Sequence, residues 1–266
     1  SSLYDTSFGW RFINPKLEAV YGVDGMGVTA ENLVDKYSIS REDQDAFAFR
    51  SHMKATAARD SGRLAQEIIP VNIPRRKLDD LIFEHDEFIK PDTTVEILEK
   101  LRPAFRKEGG SVTAGNSSGL NDGSAALLLA NESGLSSSGL TPLAQIISSA
   151  VVGVEPRIMG IGPVHASEIA LKRAGITFSD LDVIELNEAF SAQALACMRA
   201  WGLDDDDSRI NPNGGGISIG HPLGVTGSRI LLAAARQLER TGGKYGLVTL
   251  CIGVGQGYAV VIKNTQ

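Results

Sequence analysis

The chain has 266 residues, 42% of them hydrophobic and 22% charged, the composition of a globular protein with material for one large domain or two ordinary ones. A formal charge of −6 argues against sequence-independent nucleic-acid binding. No apolar run reaches membrane-spanning length, no signal peptide is visible, and two cysteines give no disulfide framework.

A reducing compartment, the cytosol or an organelle matrix, is therefore expected, with no membrane partner and no nucleic-acid partner. The chain opens at Ser1-Ser-Leu-Tyr-Asp without an initiator methionine and reads as a cut from something longer.

Residues 1 to about 115 are the more charged and helical part. Ser40-Arg-Glu-Asp resembles a capping box, and Ala46, Phe49, Met53 and Ala57 follow at helical spacing up to Gly62. An irregular strand and loop region spans Ile68 to Pro91, with a short helix after it from Thr94 to Leu101. Asn121-Asp-Gly-Ser is a turn or helix start leading into the uncharged run Ala125 to Ala130. Beyond it, Leu143 to Val154 reads as a buried strand, Ala166 to Ala174 as a helix and Val183 to Leu186 as a strand. Phe190 to Trp201 and Ser228 to Arg240 are further helices, and Tyr245 to Leu250 with Tyr258 to Lys263 form a hairpin. Alternating strands and helices predict an α/β layered fold around a mixed sheet.

The segment Asn211 to Gly227 is rich in glycine and has one ionisable side chain, His221. So many glycines sacrifice chain propensity to let the backbone approach other groups closely, which points to a site. Cys251-Ile-Gly-Val-Gly-Gln-Gly places a thiol where the apolar run Leu247-Val-Thr-Leu meets a second glycine turn. Glu185-Leu-Asn-Glu-Ala-Phe sets Asn187 and Glu188 where a strand gives way to a helix, the usual station of functional groups in α/β sheets. A histidine and a cysteine in such turns fit acid–base or nucleophilic chemistry.

In this order and spacing, Asn187-Glu-Ala-Phe, Gly220-His-Pro-Leu-Gly and the Cys251 turn resemble the thiolase family. The resemblance extends to Val112-Thr-Ala-Gly-Asn-Ser-Ser-Gly-Leu-Asn-Asp-Gly and Pro156-Arg-Ile-Met-Gly-Ile-Gly-Pro, and so covers essentially the whole chain. Within the family it is closest to the 3-oxoadipyl-CoA type. The residues carrying that likeness are Tyr4-Asp-Thr-Ser-Phe-Gly-Trp-Arg-Phe, Asp205-Asp-Asp-Ser-Arg-Ile-Asn-Pro-Asn-Gly-Gly and Val254, where many thiolases have glycine.

The resemblance implies Claisen chemistry on coenzyme A thioesters: cleavage of a 3-oxoacyl-CoA, or the reverse condensation. Cys251 matches the acid–base cysteine and His221 the histidine that activates the nucleophile and donates to the thioester oxygen. Asn187 matches the residue that holds a water beside that oxygen, and the Gly253 N–H a second oxyanion hole. Cys251 would need a pKa brought toward working pH. Ala114, Ser118 and Leu120 match the segment near the pantetheine arm, and Phe105, Met159, Ala189 and Phe190 the tunnel lining. Coenzyme A is implied as co-substrate with no permanently bound cofactor, in a cytoplasmic homodimer or homotetramer.

One departure stands out. Thiolases carry the acylated cysteine in a Cys-Gly-Ser-Gly or Cys-Ala-Ser-Gly turn, which this chain lacks; Cys197, in a helical setting, is expected to be core packing. The expectation is thus a loop domain (1–115), a late segment of the N-terminal domain (116–139) and a C-terminal domain (140–266), with most of the N-terminal domain absent. A non-catalytic coenzyme A-binding or assembly fragment is the alternative. The basic residues at 75–77 read as a solvated face, His52, His85 and His165 as surface or satisfied core, and no metal-ligand spacing occurs.

Overall fold

Short polar side chains set the first helix starts. In a computed structural model, which describes residue 10 and residues 12–266, Asn14 accepts from the Lys16 amide and opens α1 (Pro15–Tyr21). The Tyr4-to-Phe12 motif lies largely outside the described residues. After α2 (Met26–Tyr37), Ser40 accepts from the Asp43 amide at 3.0 Å and caps α3 (Arg41–Asp60).

The buried face of α3 differs from the expected stripe. Gln44, Asp45, Phe47, Ala48, Ser51, His52, Ala55 and Ala58 are inside, whereas Ala46, Phe49 and Met53 are half-buried and Ala57 is exposed. Most inward polar atoms find distant partners: Asp45 accepts from Asn116 Nδ2 at 2.9 Å, and Gln44 Nε2 donates to Ser111 at 2.9 Å, while Gln44 Oε1 has no donor among the described residues. A helix packed through largely satisfied polar groups escapes a purely hydrophobic periodicity.

The hairpin of β1 (Val71–Ile73) and β2 (Leu81–Phe83) is exposed throughout, and α4 (Val95–Glu99) is capped by Thr94. Residues 120–130 form neither helix nor strand, and Leu128 and Leu129 are 80% and 71% exposed. After α5 (Glu132–Ser138) the chain enters a four-stranded sheet in the order β3 (Ala144–Gly153), β6 (Gln256–Asn264), β5 (Tyr245–Ile252), β4 (Val183–Leu186). β4 and β5 are parallel and the other pairs antiparallel, so the sheet is mixed. β3 is an edge strand with Ile146 and Val151 exposed, not the buried strand its composition predicts.

Side-chain alternation gives this sheet two cores. Ile184, Leu186, Leu247, Ala259 and Val261 cluster with residues of α6 (Gly162–Ala174) and α7 (Ser191–Ala200). Val183, Val248, Val260 and Ile262 point the other way and cluster with α9 (Thr226–Thr241). All residues of α7 from Ser191 to Met198 are buried, including Cys197, whose thiol meets the Gly160 carbonyl at 3.3 Å. Truncating one core side chain, such as Leu247→Ala, is expected to cost about 2–5 kcal/mol.

Candidate active site

The parallel pair β4–β5 ends beside the three turns. The Asn187 amide donates to the Thr249 carbonyl at 3.0 Å, so Asn187 lies next to the strand that reaches Cys251 two residues later. Residues two apart on a strand share a face, which sets Cys251 on the Thr249 side.

Asn211 ties the glycine tract to this edge. Its Oδ1 accepts from Leu186 N and its Nδ2 donates to Leu186 O, both at 2.8 Å, while a further Nδ2 bond of 2.7 Å reaches Glu188. Ser51 Oγ donates to the other carboxylate oxygen of Glu188 at 2.6 Å, and the Ile217 amide adds a bond of 3.2 Å. A Cβ on Gly215 would stand 2.3 Å from the Glu188 carboxyl carbon, so a side chain there would push the clamped carboxylate off its donors. After the single turn α8 (Gly216–Ile219), Gly220 takes φ +105°, with a Cβ position 2.4 Å from Asn121 Oδ1. This approach delivers His221.

The His221 amide donates to Gly119 O at 3.1 Å and to Asn121 Oδ1 at 3.3 Å. Its ring Nε2 is 3.3 Å from Asn187 Nδ2, and its Nδ1 is 2.7 Å from Thr226 Oγ1. Burial, reinforced by the Arg229 charge, lowers its pKa to about 4, so the imidazole is neutral near pH 7. Asn187 Oδ1 is buried without a donor among the described residues.

Cys251 is also buried, and burial pushes its thiol up to about 12. Near pH 7 the buried thiol is therefore protonated, not a thiolate. Burial likewise raises the Cys197 thiol, in keeping with core packing. The turn after Cys251 leaves the Gly253 amide without an acceptor among the described residues, and Val254 takes φ +67°.

The expected coenzyme residues fall into two groups. Ser118 N donates to Ala189 O at 2.9 Å, Ser117 bridges Phe190, and Phe105 meets Phe190 edge-on with ring centroids 6.0 Å apart. This ties the Ala114-to-Leu120 segment to the turn bearing Asn187, one residue ahead of its contact with His221. Ala114 and Leu120 are exposed, and Phe105 lies on Gly27. Met159 is buried in the 3-10 turn Pro156–Ile161.

Sequence reasoning set Glu188 at a functional station and Asn211 in the site-forming tract but did not foresee their clamp with Ser51, and it assigned no role to Thr226 or Asn121. Thr226 stands five residues after His221 in the same glycine tract, a visible position without a recognisable signal. Of the other histidines, His52 is buried and accepts from the Lys90 amide at 3.3 Å, while His165 and His85 are exposed. Among the described residues no group of His, Cys, Asp or Glu could hold a metal ion, and no helix is long and apolar enough to cross a membrane.

Family models described as the thiolase N-terminal domain and the thiolase C-terminal domain match residues 11–133 and 140–264. A beta-ketoadipyl-CoA thiolase of Acinetobacter baylyi is 54% identical over 98% of this chain, which spans 65% of that relative's length. The crystal structure of a Bacillus anthracis acetyl-CoA acetyltransferase superposes with a TM-score of 0.88 at 42% identity, covering 99% of this chain and 68% of that one. Human mitochondrial 3-ketoacyl-CoA thiolase in complex with CoA gives a TM-score of 0.85 at 46% identity, over 90% of this chain and 59% of that one. The turns that converge on Asn187 and His221 and these matches along nearly the whole length lead to one assignment: the chain belongs to the thiolase family.

Proposed function

We propose that this chain supplies the acid–base half of an acyl-CoA C-acyltransferase, which cleaves a 3-oxoacyl-CoA with free coenzyme A or runs the reverse condensation. The observation that carries this reading is the 3.3 Å approach of Asn187 Nδ2 to His221 Nε2, at the strand ends that also present Cys251. The name of the Acinetobacter baylyi relative favours 3-oxoadipyl-CoA as substrate, giving succinyl-CoA and acetyl-CoA.

In thiolysis, His221 takes the proton of the attacking thiol and then, as imidazolium, donates through Nε2 to the thioester oxygen. Asn187 shares that negative charge through a water, and together they stabilise the enolate formed when the carbon–carbon bond breaks. Cys251 delivers its proton to the enolate carbon, producing acetyl-CoA. The Gly253 amide receives the oxyanion of the acyl-enzyme's tetrahedral intermediate. The acylated cysteine itself is neither Cys197 nor Cys251 and so is not among these residues.

Ser118, Ala114, Leu120, Phe105, Met159, Ala189 and Phe190 form the coenzyme A side of the site. The remaining proposals are the 1–115, 116–139 and 140–266 division, a homodimer or homotetramer, and a cytoplasmic location. The experiment is an intact mass of the purified protein followed by a thiolysis assay with 3-oxoadipyl-CoA and coenzyme A. Turnover by a protein larger than this chain supports the reading. Saturable coenzyme A binding without turnover in that larger protein favours a non-catalytic binding role instead.

A further inference from the structure

Thr226 is fully buried at the start of α9, beside the histidine on which the proposed chemistry depends. Its hydroxyl has one proton and two possible polar neighbours. One is Pro222 O at 3.1 Å, which can only accept; the other is His221 Nδ1 at 2.7 Å. The Pro222 carbonyl also accepts from the Val225 and Thr226 amides, so the choice falls on the far side of the ring; with the hydroxyl proton on the carbonyl, an oxygen lone pair faces the ring and Nδ1 is the donor. A neutral imidazole protonated at Nδ1 has a bare Nε2, and the group facing Nε2 is the Asn187 amide nitrogen, a donor.

The assignments agree at every link: Asn187 N–H to Nε2, Nδ1–H to Thr226 Oγ1, and Thr226 O–H to Pro222 O. The opposite tautomer would set an Nε2–H against the Asn187 N–H. Relieving that clash by turning the amide over would move its NH2 into the buried place now held by Oδ1.

We propose that Thr226 is a positioning residue whose hydroxyl accepts from His221 Nδ1–H and thereby holds the neutral ring in the tautomer with Nε2 unprotonated, its lone pair toward the Asn187 N–H until the attacking thiol takes that donor's place. Its kinetic consequence rests on the thiolase reading, because there Nε2 receives the proton of the attacking thiol. The tautomer itself rests on the hydrogen bonds alone. Losing the tautomer removes proton transfer, which typically contributes about 10²–10⁴-fold to rate; binding of coenzyme A does not depend on it.

The test is a long-range 15N–1H correlation spectrum of the intact protein labelled at histidine nitrogen, with His221 assigned by its loss in His221→Gln. The expected wild-type spectrum has a protonated Nδ1 and an unprotonated Nε2, retained in Thr226→Ser. In Thr226→Val the proton shifts toward Nε2. A wild-type ring protonated at Nε2, or a Thr226→Val spectrum identical to the wild type, overturns the proposal, and the first needs no variant to fold. In thiolysis, Thr226→Val should lower kcat at least tenfold with the KM for coenzyme A within about twofold, and Thr226→Ser should restore most of kcat. The expected spectra without thiolysis in any form would leave the tautomer standing and remove the thiolase reading.

Discussion

Asn187 and His221 lie thirty-four positions apart in the chain, yet Asn187 Nδ2 and His221 Nε2 meet at 3.3 Å. Two different constructions bring them there. β4 and its pairing with Thr249 place Asn187, whereas the Asn211 clamp and the close approach of Gly220 to Asn121 place His221.

Removing the amide while keeping both constructions isolates its chemical share. Asn187→Ala is expected to lower kcat of the complete enzyme by up to about 10²–10³-fold, the effect of losing one oxyanion donor, because the water that Asn187 holds is the donor lost. Its unfolding midpoint should stay close to that of the parent. A loss of less than about threefold would remove Asn187 from the charge-stabilising set.

Glu188 is a structural clamp. Its carboxylate accepts from Ser51, Asn211 and Ile217, all buried. Glu188→Ala strands those donors and is expected to destabilise by about 3 kcal/mol, with Glu188→Gln milder because one oxygen acceptor remains. Urea titrations with unchanged slope would show this as a lower midpoint; equal midpoints for Glu188→Ala and parent contradict it.

Glu185 and His221 give stability opposite pH dependences. Burial pushes the Glu185 carboxyl from 4.5 up to about 8, opposed by Arg229. Its contribution is therefore fully present below pH 4.5 and is lost as pH rises through 8. His221, lowered from 6.5 to about 4, contributes above pH 6.5 and loses that contribution as pH falls through 4. Glu185→Gln should accordingly gain stability relative to the parent as pH rises from 5 to 9, by chemical denaturation at each pH. A constant difference across that range would show that Glu185 titrates alike in the folded and unfolded states.

Val254 is a β-branched residue at φ +67°, where glycine is at ease. Relief of that strain exceeds the entropy that glycine adds to the unfolded chain, so Val254→Gly should raise stability by roughly 0.5–1 kcal/mol. Thermal unfolding checks the sign, and a lower melting temperature would refute the strain argument.

The turns around Asn187, His221 and Cys251 were legible because glycine clusters and lone reactive side chains at strand ends are local signals. So were β4 and the β5–β6 hairpin, whose apolar runs match the observed strands closely. The buried face of α3 was not, since Asp45 and Ser51 face inward only because Asn116 and Glu188 meet them from distant parts of the chain. β3 has the composition of a central strand, and nothing in its own residues tells that it closes an edge. Thr226 was hidden for a similar reason: a threonine at a helix start gives no sign that a histidine ring leans on it.

The measurement that bears most directly on the account is a half-reaction comparison of Cys251→Ser with the parent in the complete enzyme. If Cys251 moves the proton at the enolate carbon, the variant forms the acyl-enzyme at near-parental rate. It then fails in carbon–carbon bond making and breaking, because a serine hydroxyl is a far weaker acid than the thiol. Equal loss of both half-reactions would mean that Cys251 serves the acylation step or the fold, and the division of labour proposed among Cys251, His221 and Asn187 would be wrong.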